Sequence, residues 1–106
     1  MVVRLWSART TNAQARVYLQ HFSNEVLPAL RQFAGYVSSS VLTRPTESAV
    51  EILVVTVWYS FSAIDAFAGP DPEAAVVAPE AAALLTDYDR RVRHFEVATA
   101  DNLPFG

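Results

Sequence analysis

The sequence predicts an α+β domain in which strands and helices follow as β-α-β-β-α-β, with both helices on one face of a four-stranded antiparallel sheet. Three observations predict it. Two stretches of helical character are flanked by β-branched and aromatic stretches that read as strands. The second and third of those strands are separated by a turn short enough for a hairpin. The third is apolar on both faces, so the sheet must be covered on both sides.

Residues 2–9 (V-V-R-L-W-S-A-R) give the first strand. Thr10, Thr11 and Asn12 are good N-cap types, and a helix is expected to start there. Apolar residues at Leu19, Phe22, Val26, Leu30 and Phe33 then form one helical stripe. Pro28 interrupts it, having no N–H and a ring that collides with the carbonyl four residues back, which predicts a break near Ser23–Asn24. Gly35 is a plausible stop. Residues 36–43 (Y-V-S-S-S-V-L-T) read as the second strand, whose serines suit a half-exposed edge, and 44–48 with Pro45 as the turn. Residues 50–59 (V-E-I-L-V-V-T-V-W-Y) are the strongest strand signal. Ser60 or Ser62 caps a helix over 63–68 that stops at Gly69-Pro70. Asp71-Pro72 is expected to open a further helical stretch, broken at Pro79 and resumed over 80–87, because the Ala-rich run 74–83 is good helix former. Residues 91–98 (R-V-R-H-F-E-V-A) are the last strand. One domain therefore spans 1–98, followed by a tail, 99–106. The two helical crossovers must be right-handed, which places both helices on the same face in the ferredoxin-like manner.

The third strand carries one charge in ten residues. Val50, Ile52, Val54 and Trp58 stand on one parity; Leu53, Val55, Val57 and Tyr59 stand on the other. Two helices cover one face and nothing in the chain is left for the other, so a second copy is expected there, sheet against sheet. Large exposed apolar patches are rare on monomers.

Composition narrows the function classes. Of 106 residues, 52% are hydrophobic and 18% charged, with a net charge of −3 and eight Arg but no Lys, which lacks the basic footprint of a nucleic-acid binder. With no Cys, disulfides and thiolate chemistry are excluded. The first residues lack the long apolar core of a signal peptide, and no apolar run approaches the roughly 20 residues of a membrane span. The expected setting is cytoplasmic, away from membranes. His21 and His94 lie on different elements with no carboxylate motif between them, so no metal is expected. The three glycines match no phosphate loop or dinucleotide fingerprint.

Several stretches together resemble the antibiotic biosynthesis monooxygenase-like family of dimeric α/β-barrel proteins. They are Arg4–Trp6, Val26-Leu27-Pro28, Phe33-Ala34-Gly35-Tyr36, Val57-Trp58, 63–69 (A-I-D-A-F-A-G), 75–79 (A-V-V-A-P) and His94-Phe95-Glu96-Val97. The resemblance implies a homodimer whose two sheets close into a shared barrel. The fold hosts unrelated activities, so it does not by itself assign one. Members that oxidise aromatic polyketides use neither metal nor flavin, the substrate itself reducing oxygen in a cavity between helices and sheet. Members that degrade haem use an axial His after the second helix, a nearby Trp and a first-strand Asn. Here 66–83 has no His or Trp and 2–9 has no Asn. The resemblance thus implies cofactor-independent oxidation of a small aromatic or quinol-type compound, and haem degradation is disfavoured. A non-catalytic small-molecule-binding or stress-response homodimer is the alternative, and a purely structural homodimer a third.

Five residues are candidates for the site. His94 is the one imidazole on a strand and could act as general base toward a phenolic substrate, although a structural histidine bonded to backbone or carboxylate is the simpler reading. Trp6 and Trp58, on adjacent central strands, could wall a flat ligand, or serve as core or dimer contact. Tyr59 and Tyr88 carry hydroxyls that could orient a substrate, as do Tyr18 and Tyr36, although four tyrosines in such a chain need no function. His21 reads as a surface residue, and Arg90, Arg91 and Arg93 as a solvated cluster pairing with Asp87 and Asp89.

Overall fold

Strong alternation of inward and outward residues makes the first strand the axis of the sheet. In the computed structural model, which describes residues 1–102, β1 (Val2–Thr10) pairs antiparallel with β3 (Val50–Trp58) along its whole length. Its other edge pairs with β4 (Asp87–Tyr88) and β5 (Arg93–Glu96), two pieces of one interrupted strand. β2 (Tyr36–Pro45) pairs with β3 and forms the opposite edge, where its serines had been expected. The expected ferredoxin-like sheet, with helices on one face, is the fold of this chain. Of the tail 99–106, residues 103–106 lie outside the described residues.

The first crossover starts where the cap residues predict. The Thr11 hydroxyl accepts the Gln14 N–H at 3.1 Å and opens α1 (Asn12–His21). A π-helical segment, Phe22–Val26, separates it from α2 (Leu27–Leu30). Pro28 cannot donate to the Asn24 carbonyl, and the wider π turn gives its ring room. The break is thus an extra residue in the helix. That extra residue rotates the stripe: Tyr18, Phe22 and Leu30 are buried, while Leu19 is 38% exposed. The second crossover begins with α3 (Phe61–Ala68), whose Ala63 N–H bonds the Ser60 hydroxyl at 3.3 Å, and ends at Gly69 with φ +82°.

Beyond Gly69 the sequence expectation needs correction. No helix opens at Asp71, and the expected helix over 80–87 shrinks to α4 (Pro79–Ala82). Ala75 N–H bonds the Arg90 carbonyl at 2.9 Å and Val92 N–H bonds the Glu73 carbonyl at 2.8 Å. Pairing of 73–75 with 90–92 holds the Ala-rich run extended and overrides its helix propensity. It also draws 90–92 away from β1, while the Asp89 N–H still bonds the Ser7 carbonyl at 2.9 Å, so the last strand, expected over 91–98, splits into β4 and β5.

Register settles which side chains share a face. Val2, Ala8, Ile52, Val54 and Trp58 point to the helices and pack with Tyr18, Phe22, Leu30, Ile64 and Ala81 as the core. Leu5, Leu53, Val55 and Val57 point to the other face. Val55 and Val57 are each only 1% exposed yet stand outside that core. Trp58 is fully buried, flanked by Phe33, Tyr36 and Phe67, with its indole N–H donated to Thr56 at 2.9 Å.

Gly35 joins the crossovers. Its φ is +87°, and a Cβ there would come within 2.5 Å of the Ala63 Cβ. Gly35→Ala should lower stability by about 2–4 kcal/mol, combining left-handed strain with overpacking. Urea unfolding should show an earlier midpoint at unchanged slope; a loss under about 0.5 kcal/mol would show that the contact relaxes freely.

Candidate functional site

The face of β1 that meets the helices carries an unusual residue for its place. Arg4 lies opposite Thr56 of β3 and His94 of β5, in the middle of the sheet, and is 5% exposed. One terminal nitrogen donates to the Pro72 carbonyl at 2.5 Å and to His94 Nε2 at 2.9 Å, and the other donates to the Ala74 carbonyl at 2.8 Å. The guanidinium also sits over the Phe67 ring, 5.4 Å from its centroid. Among the described residues no carboxylate forms an ion pair with it. Burial pulls its pKa down to about 10, which leaves it a cation at neutral pH.

Arg4 borders a chamber of about 80 Å³ between the helices and the sheet, walled by Trp6, Tyr18, Phe22, Thr56 and Phe67 among others. Val26, Phe67, Val76 and Ala78 line both this chamber and a wider vestibule of about 590 Å³ toward solvent. His21 and Glu25 stand on the vestibule wall. Burial pushes the Tyr18 phenol up to about 12, so it stays a protonated donor.

The structure brings some of the expected residues together and separates others. Trp6 lines the chamber, with its indole N–H tied to the Asp89 carbonyl at 2.7 Å and its ring packed on Tyr88 at 6.0 Å. Tyr88 buttresses Trp6 without lining the chamber. Trp58 lies behind Phe67 in the core, and Tyr59 is 65% exposed past the end of β3, so neither lines the chamber. His94 is half-buried beside Phe61, its ring 4.7 Å away, and is shielded by Arg4. Because arginine has only donors, His94 Nε2 must be the acceptor, and the ring is the neutral Nδ1–H tautomer. Burial, then the Arg4 charge, lowers its pKa, with Glu73 opposing.

The basic cluster is arranged differently from expectation. Asp87 and Asp89 pair with Arg9, while Arg91 pairs with Asp71 and Arg90 and Arg93 lie over Tyr88 and Phe95. Two residues outside the sequence candidates matter here, Arg4 and His21, whose Nε2 is buried with no partner among the described residues. Of the four tyrosines with a candidate hydroxyl, Tyr18 is the one that lines the chamber. A charged residue amid an apolar strand was the available signal for Arg4. For His21 none existed, since its placement follows from the π turn.

No protein-family model and no curated protein sequence matches the chain. Solved structures do match its fold. A candidate antibiotic biosynthesis monooxygenase from Bacillus cereus is 14% identical, with TM-score 0.66 over 96% of this chain and 95% of that one. The haem degrader MhuD from Mycobacterium tuberculosis, solved with two haems in its active site, is 24% identical, with TM-score 0.61 over 95% and 99%. SnoaB, a cofactor-independent oxygenase from Streptomyces nogalater, is 14% identical, with TM-score 0.53 over 97% of each chain. The family resemblance seen in the residues therefore holds in three dimensions as a likeness of fold. Haem does not fit the position the resemblance assigns it: Val76, Val77, Ala78 and Ala81 line the chamber there, and none can ligate iron.

The Arg4–His94 bond has a pH signature. His94 is depressed in the folded state, so near its titration the unfolded chain binds more protons and stability rises with pH. Its contribution is complete above the ordinary histidine value of about 6.5 and is lost as pH falls through the folded value. Urea midpoints measured from pH 7.5 down to 5 should fall, and His94→Gln should flatten that part of the curve. An unchanged slope in the variant would detach His94 from it.

Proposed function

We propose that the chain catalyses cofactor-independent oxygenation of a small aromatic or quinol-type compound. The carrying observation is the apolar, aromatic-walled chamber between helices and sheet, with Arg4 as its one charge. The likeness of fold to a cofactor-independent oxygenase supports it. In such chemistry the substrate supplies the electrons. A diaryl CH₂ group and O₂ give a diaryl ketone and water, all four electrons coming from the substrate. The protein holds the ring, favours loss of its proton and excludes water, which together account for rate without a redox centre. His94, expected as the base, has its Nε2 occupied by Arg4, so we assign it the task of holding that guanidinium.

Oxygen consumption with anthrones and hydroquinones tests this. Uptake should saturate with substrate, and Ala78→Trp, an exposed change at the mouth, should cut it about tenfold or more by blocking entry while stability stays unchanged. Saturable binding with no oxygen uptake from any of them would instead favour the binding-protein reading.

We also propose that the outer sheet face takes a second copy of the chain. Leu42 is 44% and Phe95 48% exposed on that face, beside Leu5 and Leu53, and the Ser38 hydroxyl is buried there without a partner among the described residues. Sedimentation at micromolar concentration should give twice the 11.7 kDa chain mass. Phe95→Glu should shift it toward the single chain while leaving it folded, because a charge buried at an interface without a partner costs several kcal/mol. A wild-type chain that sediments as a folded monomer would overturn this.

A further inference from the structure

We propose that Arg4 is an oxyanion receptor, and that the chamber takes flat aromatic compounds as phenolates or enolates whose charged oxygen is attached directly to the ring. This rests on the aromatic-ligand reading above and names its chemical class.

A cation 5% exposed and unpaired with any carboxylate among the described residues is an expensive feature on a central strand. Every acceptor it has is neutral: two backbone carbonyls and an imidazole nitrogen. Those bonds use three of the five guanidinium N–H groups, which leaves two for a ligand. The other polar side chains of the chamber are able to donate as well. Among the described residues the Tyr18 phenol has no hydrogen-bond partner, and it stays protonated. Thr56 accepts the Trp58 indole N–H, so its own hydroxyl hydrogen is left to donate. The indole N–H of Trp6 is already spent on the Asp89 carbonyl. A chamber of donors around one unbalanced positive charge fits an acceptor of single negative charge and repels a cation.

Size and surroundings narrow the acceptor further. The remaining walls, including Phe22, Leu30 and Val54, are apolar. A dianion such as a phosphate monoester would exceed the one charge available and arrive with a hydration shell that these walls cannot replace. A phenolate or enolate spreads its charge into the ring, so less is desolvated at the oxygen. An oxygen directly on the ring also needs little of the 80 Å³, with the ring system extending into the vestibule past Phe67. His94 enters as a positioning residue, since its bond to Arg4 fixes the plane in which the free N–H groups point.

The test uses the whole chain and 2-hydroxyanthraquinone, whose phenol changes colour on ionising, so that its protonation state can be read when bound. Titrated with pH at saturating protein, the bound phenol should ionise at least about one unit below the free compound, equivalent to tenfold tighter binding of the anion. Unsubstituted anthraquinone should bind at least about tenfold more weakly at pH 8. Arg4→Met should abolish the downward shift, and His94→Gln should reduce it. If Arg4→Met does not fold, the wild-type titration decides alone. An unshifted or raised bound value, equal binding of anthraquinone, or no saturable binding would each overturn the proposal. Oxygen uptake is a separate readout. A lowered bound value without uptake keeps the receptor and removes the oxygenase reading, whereas uptake with an unshifted value does the reverse.

Discussion

A buried guanidinium on the central strand is the constraint from which much of the structure follows. Arg4 must find acceptors on the helix side of the sheet, and the chain supplies the carbonyls of Pro72 and Ala74. In a helix those carbonyls would bond N–H groups four residues on. They are available only because 72–74 is not helical. The same extended stretch then exchanges backbone bonds with 90–92, which pulls the last strand off β1 between Asp89 and Arg93. The interrupted strand, the unwound Ala-rich run and the chamber beneath it are one solution to one charge.

Behind the charge stands an aromatic support. Phe67 lies under the guanidinium and contacts Trp58 and Phe33, with ring centroids 5.4 and 5.5 Å away. Trp58 is fully buried, so Phe67 rests on a surface that cannot recede. Gly35 lets the loop between crossover and strand approach α3 closely enough to close this layer. Polar placement at the chamber floor thus depends on apolar packing one layer further in, as positioning with low reorganisation requires.

What the sequence made legible was what depends on period and punctuation. The first three strands, the cap at Thr11, the break imposed by Pro28 and the stop at Gly69 all follow from local chemistry. The apolar doubling of 50–58 was readable too, and it puts buried residues on both faces of β3, although parity could not be assigned to either. The errors share a cause. Residues 71–78 favour a helix locally but bond to partners 15 residues and more away, and the side chain that draws their carbonyls in is 68 residues away. The site suffered likewise. Trp58 was noticed for its ring and His94 for its pKa range, yet their roles were decided by neighbours: Phe67 in front of one and Arg4 in front of the other. Leu19 and His21 were misplaced by the extra residue of the π turn, which rotates everything before it.

The dimensions of the cavity constrain how any ligand could use it. A cavity that admits benzene is roughly 150 Å³, so a chamber of 80 Å³ does not enclose a whole ring. A flat molecule reaching Arg4 must therefore straddle the constriction at Val26, Phe67, Val76 and Ala78, with one polar edge inside and most of its apolar surface in the vestibule. Its interior edge then meets the guanidinium and the hydroxyls of Tyr18 and Thr56, each able to donate. A proton leaving the ligand finds no acceptor in the chamber, since Arg4 and Tyr18 are both already protonated at neutral pH. The buried Nε2 of His21, unpartnered among the described residues, stands on the vestibule wall beyond that constriction. Chamber and vestibule thus form a single channel. The cation sits at its closed end, and the imidazole stands toward the end that meets water.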